Sequence, residues 1–254
     1  MNNELFKKLL DEKRIPANTF LLGRVGSHAH GTFIPSTDSK SISDVDLMGV
    51  CVAPIESYLG LGNFKDVISK DAEFDIIVFE IRQFTRLLLM QNTAVLELLW
   101  LKDDLYIHND IQSQYIEKRD IFSSKLAHKN FINHMYLSIK NIKINKFEKY
   151  MKPSRRMLVK NFGYDTKRVA HSIRIMRMGI EFLNTSKLNV FREDATELIA
   201  ITNGKWQLDK VMSEADKLLK DAELAFKSTK LPDCPNTKEA ELLLMNVIKQ
   251  KLLN

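Results

Sequence analysis

Cysteine is scarce: Cys51 and Cys234 are the whole complement of a 254-residue chain. Two thiols exclude a disulfide framework, no Cys–His spacing suits a zinc site, and a reducing cytoplasm is the expected compartment. Glycine and proline number only 9 and 6, which excludes collagen-like and low-complexity chains. No apolar run approaches the roughly 20 residues that a membrane span requires. The opening MNNELFKKLLDEKRIP is too charged for a signal peptide, so no membrane partner is expected. Acid is also in deficit. Against 38 Lys and Arg stand 32 Asp and Glu, a formal net charge of +6. That balance favours an anionic partner, nucleic acid or the phosphates of a nucleotide.

What is present is an ordinary globular composition, 44% hydrophobic and 28% charged, able to bury a sizeable core. The pattern changes along the chain. Residues 3–12 read as a short amphipathic helix. Apolar or alternating segments at 19–25, 43–53, 64–70, 74–81 and 104–109 read as strands. In the second of these, Val45, Leu47 and Val50 are set against Asp44, Asp46 and Met48. Residues 81–91 and 93–101 carry Leu and Glu at helical spacing. Beyond them the chain reads as helix almost throughout: 126–151, stopped by Pro153, then 155–184, 206–229 and 237–254. The expected fold class is α+β, a small mixed sheet followed by an all-helical domain, divided as 1–120 and 121–254.

The residues that carry chemistry lie early, in GSHAHGTFIPSTDSKSISDVDLMG (26–49). On a strand, Asp44 and Asp46 project to one face. Two carboxylates that close repel unless a cation lies between them, and Mg²⁺, a hard ion with oxygen ligands, suits the pair. Upstream, Gly26 lets the backbone approach a ligand and Ser27 adds a hydroxyl and an N–H. A helix starting there would turn its first N–H groups toward a phosphate. A phosphate-receiving turn followed by paired acids is a way to hold a metal-bound nucleoside triphosphate. Metal-assisted nucleotidyl transfer uses two ions about 3.5–4 Å apart and calls for a third carboxylate. Asp75 is the candidate, with Glu73 and Glu80 as competitors. His30 lies in the glycine loop, within reach of phosphate or acceptor, as does His28.

These motifs resemble the G-S-x-A-x-G … S-D-x-D-x-x-G signature of the DNA polymerase β-like nucleotidyltransferase superfamily. The likeness is to a bacterial and phage branch linked to RNA repair. It continues through YLGL (58–61), IRQFTRLLLMQNTAVLELLW (81–100), FGYDTKRVAHSIRIMRMGIEFL (162–183) and the late Leu-Pro loop. The polar run between Gly31 and Asp44 is longer than in many relatives. The resemblance implies a small mixed sheet with flanking helices, and a helical domain closing over a cleft. It implies that Gly26 and Ser27 hold the triphosphate, that Asp44 and Asp46 hold two Mg²⁺ ions (Mn²⁺ as an alternative), and that Asp75 completes the set and helps activate the acceptor hydroxyl.

The second half adds cations. Residues 138–177 are dense in Lys and Arg, with Glu148 and Asp165 as their acids. Within them Tyr164, Lys167, His171 and Arg174 recur at intervals of three or four and form a stripe suited to a base, a ribose and phosphates. Val169, Ile173, Met176 and Ile180 form the core-facing stripe. The leading expectation is a Mg²⁺-dependent transfer of a nucleoside monophosphate from a triphosphate to a hydroxyl on RNA or tRNA, with release of pyrophosphate. The alternatives are nucleotidylation of a protein, as an antitoxin silencing a toxin, and a nucleotide- or RNA-binding module without catalysis.

Overall fold

The computed structural model describes residues 3–34, 45–110, 114–144 and 153–253. The chain divides into two compact units, residues 1–123 with 235–254, and residues 124–234.

The first unit is built on a five-stranded mixed sheet. In chain order it contains α1 (Asn3–Asp11), β1 (Thr19–Arg24), α2 (Gly26–His30), β2 (Val45–Cys51), α3 (Glu56–Leu59), β3 (Val67–Lys70) and β4 (Phe74–Glu80). Then come α4 (Ile81–Leu89), α5 (Thr93–Leu98), β5 (Tyr106–Asn109) and α6 (Gln114–Glu117). The sheet order is β3-β4-β2-β1-β5, with β2 and β4 parallel and the other pairs antiparallel. On one face, Leu9 and Ile15 pack with Leu22, Leu47, Cys51, Phe74, Ile76, Val78 and Ile107. Burial there pushes the Cys51 thiol up to about 12, helped by the Glu80 charge, so it is an inert core group.

Strand alternation puts Asp46, Met48 and Val50 on the opposite face from Leu47 and Cys51. Val50 therefore shares the face of Asp46, not that of Leu47 as its hydrophobicity suggests. That face is covered by helices further along β2, so an apolar residue and an acid share it at different heights. Helices α4 and α2 both pack on β2. Glu80 caps α4, accepting from the N–H groups of Arg82 (3.0 Å) and Gln83 (3.3 Å). It also accepts from Tyr58 Oη at 2.7 Å, which fixes the segment after β2. Gln91, fully buried with φ 57°, turns the chain from α4 to α5. Its amide donates to the carbonyls of Leu88 (2.8 Å) and Phe122 (2.6 Å).

The second unit is helical: α7 (Ala127–Ile144), α8 (Pro153–Phe162), α9 (Thr166–Thr185), α10 (Ala195–Thr202) and α11 (Leu208–Ser228). Helix α9 is its axis and packs against the other four. Val169, Ile173 and Met176 are buried in its core, with Ile180 partly buried beside them. Pro153 opens α8, which suits a residue without an N–H at the first helical position. The single helix expected over 155–184 is two. Gly163 adopts φ 78°, and Asp165 then caps α9 by accepting from Arg168 N–H at 3.0 Å. The last helix, α12 (Thr237–Leu253), returns to the first unit and packs on α4 and on residues 119–122.

Candidate active site

The site grows from the end of β1 and the start of β2. Val25 N–H donates to the Asp46 carbonyl at 2.9 Å, and the chain then turns at Gly26 with φ 66°. A side chain at Gly26 would overlap the Asp46 carboxylate, so glycine serves both the left-handed turn and the close approach. The five-residue α2 begins there and ends at Gly31 with φ 71°. Ser27 is half-buried, and its carbonyl accepts from Thr32 N–H at 2.9 Å, leaving the turn closed on itself.

Asp46 pairs in register with Asp75 on the parallel strand β4, so both side chains leave the sheet on one face from backbones about one strand spacing (~4.8 Å) apart. Asp75 also lies opposite Lys70 on β3 and accepts from its ammonium. The competitors for the third acid are otherwise employed. Glu80 is the cap of α4, and Glu73 pairs with Lys8 at 3.3 Å on the surface. Asp44 lies outside the described residues. Among the described residues no three His, Cys, Asp or Glu side chains gather as a metal site. The donor set nonetheless fits Mg²⁺ in kind: hard carboxylates on one strand face, one of them already attracting the cation Lys70.

Two further groups stand near Asp46, His28 of the glycine loop and Arg24. His28 stacks on Phe33 with ring centroids 4.2 Å apart. Burial lowers its imidazole pKa and the Arg24 charge lowers it further, against the pull of Asp46. Arg24 ends β1 two residues before Gly26 and lies inside the strand that the sequence predicts over 19–25.

His30 is buried. It is 7% exposed, and its Nε2 lies 2.7 Å from Glu97 Oε2, itself buried in α5. A helix of five residues turns its last side chain inward here, so His30 ties α2 to α5, where the sequence suggested a residue open to phosphate. The Tyr-Lys-His-Arg stripe is also divided. Tyr164 precedes α9, is fully buried and donates to the Trp206 carbonyl at 2.8 Å. Arg174 is buried, while Lys167 and His171 are exposed on α9. Spacing put all four on one stripe. The break at Gly163 removes Tyr164 from the helix, and Arg174 is buried in the unit.

A mixed sheet bearing register-paired acids beside a glycine turn marks a nucleotidyltransferase-like class of protein. Residues 3–245 match the RNA repair pathway DNA polymerase beta family (RlaP), and the chain belongs to that family. Among solved structures, it is similar to a nucleotidyltransferase-like protein from Exiguobacterium sibiricum 255-15. That likeness has 10% identity and a TM-score of 0.31, over 98% of this chain and 80% of that one. A comparison with curated proteins finds no match. Among the described residues no helix is long and apolar enough to cross a membrane.

Proposed function

We propose that the protein transfers a nucleoside monophosphate from a nucleoside triphosphate to a hydroxyl of RNA, releasing pyrophosphate. The observation that carries this reading is the in-register pair Asp46–Asp75 with Gly26 closed against Asp46. The family's description, an RNA repair pathway, supports the choice of RNA. So does the basic stretch 138–177. A tRNA end or a broken strand would present the hydroxyl.

In the reaction the acceptor oxygen forms a bond to the α-phosphorus, and the bond from that phosphorus to the α–β bridging oxygen breaks. Pyrophosphate leaves with the bonding electrons. Asp75 would orient the acceptor hydroxyl and receive its proton. Gly26 and Ser27 receive the triphosphate, the first by having no side chain in the way, the second through its hydroxyl. Asp44, Asp46 and Asp75 would hold Mg²⁺, which when bound supplies neutralisation of the triphosphate charge. Catalysis of this kind is mostly positioning and charge stabilisation.

The test is to offer the purified protein each α-phosphate-labelled ribonucleoside triphosphate with Mg²⁺ and total tRNA. Label on RNA, lost in Asp46→Asn, is the expected result. Label on a co-purified protein would move the acceptor from RNA to protein. Absence of label on any acceptor would refute the reaction.

A further inference from the structure

Helix α7 carries no acid. Its 18 residues include Lys129, Lys140 and Lys143 but neither Asp nor Glu, whereas α11, packed beside it, mixes both signs along its length. One side of α7 is fixed by packing, with Ile132, Met135 and Ile139 in the core of the second unit. Phe131 meets Phe182 of α9 with ring centroids 6.3 Å apart, and the Ser138 and Ser172 hydroxyls pair at 2.5 Å. Glu223 of α11 approaches His128 (3.7 Å), on the edge of α7 that faces α11. The opposite side holds Lys129, Asn133, Tyr136 and Lys140, at steps of four, three and four residues, so they line one face. All four are exposed, and Leu137 beside Tyr136 is exposed as well. Tyr136 is 55% exposed, and among the described residues it has neither a hydrogen bond nor a ring contact. A bare aromatic ring thus stands on a well-anchored helix, with one cation a turn after it and another two turns before it.

We infer that this face of α7 binds single-stranded RNA, with the Tyr136 ring as a stacking platform for a base and Lys129 and Lys140 as contacts to phosphates on either side. The inference rests on the reading of RNA as the acceptor and gives that RNA a place on the second unit. A nucleic-acid strand alternates flat apolar bases with anionic phosphates. The face alternates in the same way, from Lys129 through Tyr136 and Leu137 to Lys140, over about 16 Å of helix axis. An aromatic ring stacks on any base, because every base has a π-face, and an ammonium is a point charge that takes a phosphate from many directions. Asn133 adds an amide between them, able to donate to or accept from a ribose hydroxyl or a base edge. A duplex keeps its bases stacked inside and offers the ring nothing to cover, so the strand must be unpaired here. An acidic peptide would satisfy the lysines and leave the ring bare.

Binding is measured on the full-length chain without Mg²⁺ or triphosphate, so the outcome does not hang on the transfer reaction. A labelled single-stranded RNA, and the same RNA annealed to its complement, are titrated at several salt concentrations. The proteins are wild type, Tyr136→Ala, Tyr136→Phe and Lys140→Gln. Tyr136→Ala should bind the single strand about tenfold more weakly with its salt slope unchanged. Lys140→Gln should bind more weakly with a slope smaller by about 0.7, for the one lost cation. Tyr136→Phe, which keeps the ring, should bind nearly as wild type does. Both side chains are exposed, so thermal melts of the variants should match wild type and separate lost binding from lost folding. A wild-type chain that binds no RNA, a Tyr136→Ala chain that binds it as tightly as wild type, or a loss shared equally by the duplex would overturn the inference. A second measurement needs no variant: single-stranded RNA bearing 4-thiouridine, crosslinked by light, should label the peptide that contains Tyr136. Label confined to other peptides would overturn it as well. RNA bound through α7 by a chain that transfers no nucleotide would refute the reaction and leave this surface standing, and transfer to RNA with binding unchanged in the α7 variants would do the reverse.

Discussion

At the scale of single residues, Gly26 is the tightest constraint. Its left-handed backbone costs an L-residue roughly 1–2 kcal/mol, and a methyl group there overlaps the Asp46 carboxylate. Gly26→Ala should lower stability by at least that amount in urea melts and reduce transfer activity more than stability. Asp46→Asn keeps the shape and removes the charge, so it should leave the melt nearly unchanged while cutting transfer by about 10²–10³-fold. The buried His30–Glu97 contact makes a different prediction. Glu97→Ala removes the carboxylate 2.7 Å from a buried imidazole and should cost about 3 kcal/mol, whereas Glu97→Gln, which keeps an acceptor, should cost clearly less. Equal losses for the two variants would show that the contact carries no weight. The turn at Gly26 and the strand that carries Asp46 were legible in the sequence because a short motif holds them at fixed spacing. The partner of His30 was not, because Glu97 lies 67 positions away and no local pattern joins a loop histidine to a helix glutamate.

At the scale of elements, all five strands could be read from apolar alternation, and the structure places each within a few residues of its expected range. The division of α8 from α9 was harder to see. Gly163 and Asp165 carry the signals of a helix end and a helix start, but the apolar periodicity runs on across them and suggests one helix. Asp165→Ala should cost about 1–2 kcal/mol, from the lost cap and the lost ion pair with Arg155 at 2.8 Å. Helix α10, eight residues long, was missed, and its anchor is ionic. Arg177 pairs with Asp194 (2.7 Å), Glu197 (2.5 Å) and Glu214 (2.7 Å), and Arg192 pairs with Glu181 (2.7 Å) and Asp194 (2.9 Å). Burial opposes the Asp194 charge, but the hydrogen bonds from Arg192 and Arg177 outweigh it and hold the carboxyl below its ordinary value. A depressed carboxyl stabilises the folded state above its unfolded pKa of about 4, and that contribution is lost as pH falls through the lower folded value. Thermal melts from neutral pH downward should therefore show the stability falling steeply below about pH 4. Asp194→Asn should already be destabilised at neutral pH and show a shallower acid slope.

At the scale of the whole molecule, the α+β class followed from the change of pattern near residue 110, where alternation gives way to helical spacing. The path of the last helix did not. Thr237–Leu253 follows a long helical stretch in sequence but packs on α4 in the first unit, because its apolar positions find their partners there. No periodicity argument reveals which of two cores a terminal helix will join. The distribution of chemistry was clearer: acids and glycine turn in the sheet-bearing unit, the Lys- and Arg-rich stretch in the helical one. The central claim is that the first of these units carries out nucleotidyl transfer. The most direct measurement is pyrophosphate release, counted against label gained by RNA, for wild type, Asp46→Asn and Asp75→Asn. One pyrophosphate per nucleotide transferred, with both products lost in either variant, is the expected result. Pyrophosphate and label that persist in both variants would show that the register-paired acids do not serve this reaction.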